Sequence, residues 1–202
     1  VLKQILKSLY TLKSIKNIIL VGGNIYKQDI PFKNFLASLK NYKISIKVCT
    51  DYKRSLIDNK RVKFKNFIKN YKIPLKVFNK YDSFSKYINK YNPKDTVIFS
   101  LNCKWLLKSD IIKKFPNIFN YHNASLENFR GSGAQSWMLM MNENKNQLSI
   151  HRVNKYFDDG DLLLSKKLDI SKANNLTQIY GIIDKYEKNF FSKFLFLFFN
   201  KK

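Results

Sequence analysis

Apolar positions along this chain alternate between two spacings. Compact apolar runs at Asn17–Gly23 (NIILVGG), Ile44–Cys49, Leu75–Phe78 and Asp95–Leu101 (DTVIFSL) have the length and composition of buried strands. Between them the period changes to three and four. Pro31 opens a helical pattern through Phe32, Phe35, Leu36 and Leu39, and Val62–Tyr71 reads as a second helix. Ser83 is the expected cap of a third, with Phe84, Tyr87 and Ile88 on one side, running to Tyr91 before Asn92-Pro93 breaks it. Further on, Ile118–His122 reads as a strand, Ala134 to Asn142 as a helix, and Leu148–Val153 and Leu162–Leu168 as strands. Leu176–Phe199 is a long closing helix with Ile179, Ile183, Phe190 and Phe194 on its apolar stripe. Strands alternating with helices predict βαβ units and a three-layer α/β sandwich around a mainly parallel sheet. Ligands in such sheets bind beyond the carboxyl ends of the strands, which puts the ends of Thr96–Leu101 and Ile118–His122 together at the expected site.

The organisation is that of one domain, residues 17–202, preceded by a lead-in over residues 1–16. In the lead-in Leu and Ile alternate with Lys, as in a short amphipathic helix or an unstructured segment. Lys3, Lys7, Lys13 and Lys16 interrupt its apolar residues, so no signal-peptide pattern is present and a cytoplasmic protein is expected. Gly22-Gly23 reads as a tight strand-to-helix turn, since GxGxxG is absent. Trp137, Leu139, Met140 and Met141 read as core packing. The closing FFSKFLFLFF is too short to span a bilayer. It docks on the domain, on a second copy as a homodimer, or on a membrane surface.

Composition narrows the class. Of 202 residues, 45% are apolar and 15% aromatic, which excludes a disordered chain. The formal charge is +24, yet all but Arg54, Arg61, Arg130 and Arg152 of the 38 basic residues are lysine. They are scattered with asparagine along the whole length. This reads as a solvated surface with no dedicated nucleic-acid partner, because base and phosphate readout draws on arginine. Cys49 and Cys103 are too few for a disulfide framework or a metal site and suit a reducing compartment.

Chemistry concentrates between Phe119 and Leu163. Asn120 and His122 lie two apart, so on a strand they share a face. An amide and an imidazole side by side suit addition to a carbonyl: one donates to the developing oxyanion, the other exchanges a proton. Asp158, in the turn Asp158-Asp159-Gly160-Asp161, can supply the carboxylate that sets the charge of the histidine. On its own each group has a plainer reading. Asn120 is also a strand-end cap, and the acidic turn is also a glycine turn or a cation site. Arg130 either ties a loop by an ion pair or touches an anionic substrate, and His151 is either a structural histidine or a substrate contact.

The order Asn120-x-His122, then Arg130-Gly131, then Asp158-x-Gly160-Asp161 resembles the catalytic domain of the folate-dependent formyltransferases. That family includes methionyl-tRNA formyltransferase, glycinamide ribonucleotide formyltransferase and the sugar N-formyltransferases. Its catalytic Asn, His and Asp correspond to Asn120, His122 and Asp158, with the thirty-six-residue interval from His to Asp kept. After the histidine the family reads Pro/Gly-Ser-Leu-Leu-Pro, whereas this chain reads Asn123-Ala124-Ser125-Leu126-Glu127. The resemblance implies a Rossmann-like formyltransferase fold and 10-formyltetrahydrofolate as co-substrate, with no metal. It places the pterin pocket at Asn102, Cys103, Lys104, Trp105 and Leu106 together with the loop 154–158 that contains Phe157. It also implies attack of a neutral amine on the formyl carbon, with Asn120 and protonated His122 stabilising the oxyanion. A nucleotide-linked amino sugar is the expected acceptor. The tRNA enzyme carries an additional C-terminal domain for which this chain is too short, and the purine enzyme is the alternative. Hydrolysis of the folate and a non-enzymatic nucleic-acid module rank below them.

Overall fold

The computed structural model describes residues 15–23, 30–40, 42–55, 58–59 and 62–199. The strands are β1 (Asn17–Gly22), β2 (Ser45–Asp51), β3 (Asp58–Asn59), β4 (Val62–Lys63), β5 (Leu75–Phe78), β6 (Thr96–Leu101), β7 (Ile118–His122), β8 (Lys145–Arg152) and β9 (Leu162–Asp169). The helices are α1 (Ile30–Ser38), α2 (Tyr52–Ser55), α3 (Phe64–Asn70), α4 (Tyr81–Ile88), α5 (Ser109–Ile112), α6 (Ala134–Met140) and α7 (Leu176–Phe199). Seven strands form one sheet in the order β5-β2-β1-β6-β7-β8-β9, with β3 and β4 a separate small pair. Strands β5 to β7 of that order run parallel, and β8 and β9 add an antiparallel hairpin at one edge. The mainly parallel α/β sandwich expected from the sequence is what forms.

Alternate residues of each strand feed two separate cores. Ile18, Leu20, Phe99, Phe119 and Tyr121 pack with α1 and α7. Ile19, Val21, Ile98 and Ile118 pack with α4 and α5 on the other face. The first core is rich in aromatic contacts: Phe194 meets Phe99 and Phe119 at ring separations of 5.6 and 5.5 Å, and Phe35 meets Phe191 edge-on at 5.1 Å. Each such pair adds about 0.5–1.5 kcal/mol beyond its buried area. The apolar tip of α7 is therefore spent on the sheet, with Phe194, Leu195 and Phe198 buried, although Phe196 stays exposed. No helix of the described residues is long and apolar enough to cross a membrane.

Several boundaries differ from expectation. The helix expected from Val62 starts at Phe64, because Val62–Lys63 pairs with Asp58–Asn59. Ser83 is not a cap: α4 begins at Tyr81 after Lys80 and ends at Ile88, so the serine sits within its first turn. β8 begins at Lys145, three residues early, since its partner β9 extends far enough to pair with it. The core reading of Trp137, Met140 and Met141 fails. In a seven-residue helix the inward stripe falls on Ala134, Gln135 and Met138, which leaves those three 57%, 73% and 61% exposed. Of the lead-in, residues 1–14 lie outside the described residues.

Candidate active site

Strand β7 carries two side chains outward beyond the second core. Ile118, Asn120 and His122 share that face, while Phe119 and Tyr121 enter the first core. The register sets Ser100 beside Asn120 and Leu101 beside Tyr121 on one side, and His151 of β8 opposite Asn120 on the other. The hairpin loop after β8 then returns over this face and brings Asp158 onto it. Gly160 makes the return possible, because a Cβ there would sit 1.8 Å from the carbonyl oxygen of Arg152.

Four polar side chains meet. The Asn120 amide nitrogen donates to Asp158 Oδ1 at 2.9 Å and lies 3.1 Å from His151 Nε2. Since a carboxylate only accepts, Asp158 fixes which end of the amide faces it. Asp158 Oδ1 is 3.3 Å from His151 Nε2, and Oδ2 is 3.6 Å from His122 Nδ1. The second carboxylate oxygen also accepts the Gly131 N–H at 2.9 Å. The outer nitrogens of both rings face carbonyls: His122 Nε2 donates to Phe129 O at 2.6 Å and His151 Nδ1 to Arg152 O at 2.7 Å. Burial raises the Asp158 carboxyl, but the hydrogen bond to His151, the charge of His122 and the Gly131 N–H outweigh it and hold the pKa at about 2. Asp158 adopts a left-handed backbone (φ 45°), which aspartate tolerates better than most residues.

The loop after β7 is fastened to the same cluster. Ser149 donates to Ala124 O at 2.8 Å, and the Gln135 amide donates to Asn123 O and Oδ1 at 2.8 and 2.9 Å. Arg130 donates to Leu126 O at 2.6 Å and pairs with Asp159, which is the loop-tying arrangement of the two expected for it. The acidic turn does not converge on a cation: Asp158 faces the histidines while Asp159 faces Arg130. His151 is 2% exposed, behind Asn120 and Asp158 rather than at the surface.

The segment Asn102–Leu106 leaves the sheet alongside His122. Asn102 has a left-handed backbone (φ 59°), Cys103 and Trp105 are half-buried, and Lys104 is exposed. Trp105 is held by stacking on Phe84 at 4.9 Å. Leu106 and Phe157 present apolar surface, 38% and 65% exposed. The roles of the Phe129 carbonyl and the Gly131 N–H carry no signal in the sequence, because any residue supplies those backbone groups. The place of His151 in the cluster follows from strand pairing alone.

The mainly parallel α/β sheet thus gathers an amide, two imidazoles and a carboxylate from β7, from β8 and from the loop that follows β8. Residues 36–195 match the family model Formyl_trans_N, formyl transferase, and the chain belongs to that family. One curated relative is the bifunctional polymyxin resistance protein ArnA of Wigglesworthia glossinidia brevipalpis. It is 29% identical over 96 residues, which cover 46% of this chain and 14% of that protein. Among solved structures, WlaRD, a sugar 3N-formyl transferase crystallised in the presence of dTDP and 5-N-formyl-THF, superposes with a TM-score of 0.70 at 22% identity. That match covers 93% of this chain and 64% of the other. Glycinamide ribonucleotide transformylase 1 of Geobacillus kaustophilus gives 0.72 at 14% identity, covering 90% and 97%. At these identities the likeness is one of fold.

Proposed function

We propose that the chain transfers a formyl group from 10-formyltetrahydrofolate to the primary amine of a nucleotide-linked amino sugar, in the cytoplasm. The observation that carries this reading is the convergence of Asn120, His122 and Asp158, with Asn120 hydrogen-bonded to Asp158 and His122 Nδ1 3.6 Å from the same carboxylate. The sugar acceptor is supported by the likeness to WlaRD, a sugar 3N-formyl transferase. The fold also superposes on a glycinamide ribonucleotide transformylase, which keeps that acceptor as the second reading.

The residues present fit the folate. Leu106 and Phe157 offer uncovered apolar surface for a flat ring system, and the backbone of Asn102–Leu106 offers polar groups for its edge. When bound, the folate supplies a formyl carbon whose oxygen gathers negative charge as the acceptor amine adds. Asn120 and His122 then turn N–H groups now given to Asp158 and Phe129 O toward that oxygen. Ionised Asp158 balances a cationic His122 through Nδ1 and helps carry the amine proton to the departing nitrogen. Arg130 and His151 act behind this step, one fixing the loop and the other fixing Asn120 and Asp158.

The test is to incubate the protein with 10-formyltetrahydrofolate and, separately, nucleotide-linked amino sugars, glycinamide ribonucleotide and charged initiator tRNA, and to weigh the products. One added formyl group on an amino sugar is expected. Formylation of the ribonucleotide alone would replace the sugar reading, and folate turnover without any acceptor would point to hydrolysis.

A further inference from the structure

We infer that Tyr81 and Asp110 form a latch that holds the loop 102–108 in place and thereby sets the affinity for the folate. The inference takes its ligand from the proposed function and its latch from hydrogen bonds. The loop runs from the end of β6 to the start of α5 and belongs to neither strand nor helix. Its course is therefore fixed from outside, at three points. At its start the chain passes against Gly22, where a Cβ would sit 1.7 Å from the carbonyl oxygen of Leu101. In its middle Trp105 stacks on Phe84 of α4 and meets the Tyr81 ring edge-on at 6.5 Å. At its end the Tyr81 hydroxyl accepts the Lys108 N–H at 2.8 Å, while the Lys108 ammonium lies over the same ring at 4.7 Å.

The third point is the one that depends on a single polar group. A hydroxyl has one proton to give. Tyr81 gives its proton to Asp110 Oδ1 at 3.0 Å, which leaves its oxygen to receive Lys108. Ser85, one turn further along α4, donates to Asp110 Oδ2 and receives the Asn89 amide at 3.1 Å. Both oxygens of one carboxylate on α5 thus face α4, and the donors run in one direction, each bond polarising the next. Burial acts to raise the Asp110 carboxyl, but the hydrogen bonds from Ser85 and Tyr81 outweigh it and lower the pKa, so the group stays an ionised acceptor. A phenylalanine at position 81 would keep the ring contacts with Phe84 and Trp105 and lose both hydrogen bonds.

The loop offers a flat ligand backbone groups, and no substitution within the loop changes what those groups are. Only their positions can be tuned, and the residues that tune them stand outside the loop. Tyr81 and Asp110 are positioning residues in this sense. Their loss should weaken folate binding and leave turnover nearly as it was.

The test measures binding of 5-formyltetrahydrofolate, an isomer of the donor, by calorimetry. Tyr81→Phe should weaken its Kd about 3–10-fold, the worth of one hydrogen bond, and raise the KM for 10-formyltetrahydrofolate by a similar factor. The kcat should stay within about twofold. Asp110→Ala, which leaves the Tyr81 hydroxyl unanchored, should weaken binding in the same direction. Tyr87→Phe deletes a hydroxyl from the same helix, one that bonds Tyr91 at 2.8 Å, and should leave binding unchanged. Without any ligand, the Lys108 amide should exchange with solvent several-fold faster in Tyr81→Phe than in wild type. Unchanged Lys108 exchange, equal weakening in Tyr87→Phe, or a fall in kcat with Kd unmoved would each overturn the latch. If the wild-type protein binds no folate, the reading of the pocket fails and the folate part of the inference with it, while Lys108 exchange still decides whether Tyr81 holds the loop.

Discussion

At the scale of single residues, Asp158 is the hub of the cluster, hydrogen-bonded to Asn120 and facing His122 at 3.6 Å, so each of the three should be costly to remove. His122→Ala and Asp158→Ala are expected to lower kcat by about 10²–10⁴, the usual worth of a positioned acid or base. Asn120→Ala should lose about 10²–10³, the worth of one oxyanion donor. Steady-state rates on the acceptor identified above, with circular dichroism to confirm folding, check all three. Asp158 also makes a prediction about stability. Its folded pKa, about 2, lies below the ordinary 3.8, so its contribution is present above pH 3.8 and disappears as pH falls toward 2. The difference is on the order of 2 kcal/mol. Asp158→Asn should therefore flatten the acid limb of a Tm-against-pH curve; an unchanged limb would mean that the carboxylate is not held by its neighbours.

Among the elements, the loop from β8 to β9 bears most directly on the cluster. Gly160→Ala forces a Cβ into the Arg152 carbonyl, which also accepts the His151 Nδ1–H. The loop must shift, at about 1–3 kcal/mol, and Asp158 shifts with it. Thermal melts and kcat should fall together. Helix α7 closes the first core, so Phe191→Ala, at a fully buried position, should cost about 3–5 kcal/mol by chemical denaturation. A loss below 1 kcal/mol would show that α7 does not pack as described. Helix α6 behaves differently: Trp137 and Met140 on its outer side, and Met141 just past its end, are exposed and should tolerate polar substitution with little change in Tm.

For the whole molecule, charge is the property that reaches furthest. A formal +24 sets up a positive field that draws anionic ligands toward the surface. If the acceptor carries phosphate, its KM should rise several-fold between about 50 and 500 mM salt, as the screening length shortens from above 10 Å to a few Å. The rate at saturation should hold nearly constant, because the buried cluster is screened little. A KM indifferent to salt would argue for an uncharged acceptor.

Local chemistry was enough to announce the fold. Runs such as NIILVGG and DTVIFSL, separated by helical spacing, determine a parallel sheet because each apolar run must be buried on both faces and each helix on one. The two-residue spacing of Asn120 and His122 determines that they share a face. Only the tertiary structure decided which groups meet them. The pairing of β7 with β8 sets His151 opposite Asn120, and the Gly160 turn swings Asp158 over both. Carbonyls and N–H groups of Phe129 and Gly131 join through backbone atoms that every sequence possesses. The exposure of Trp137 and the burial of Glu187 were likewise illegible: a side chain's surroundings depend on which helix face the sheet covers. That choice is made by contacts between residues as distant as Asn34 and Glu187.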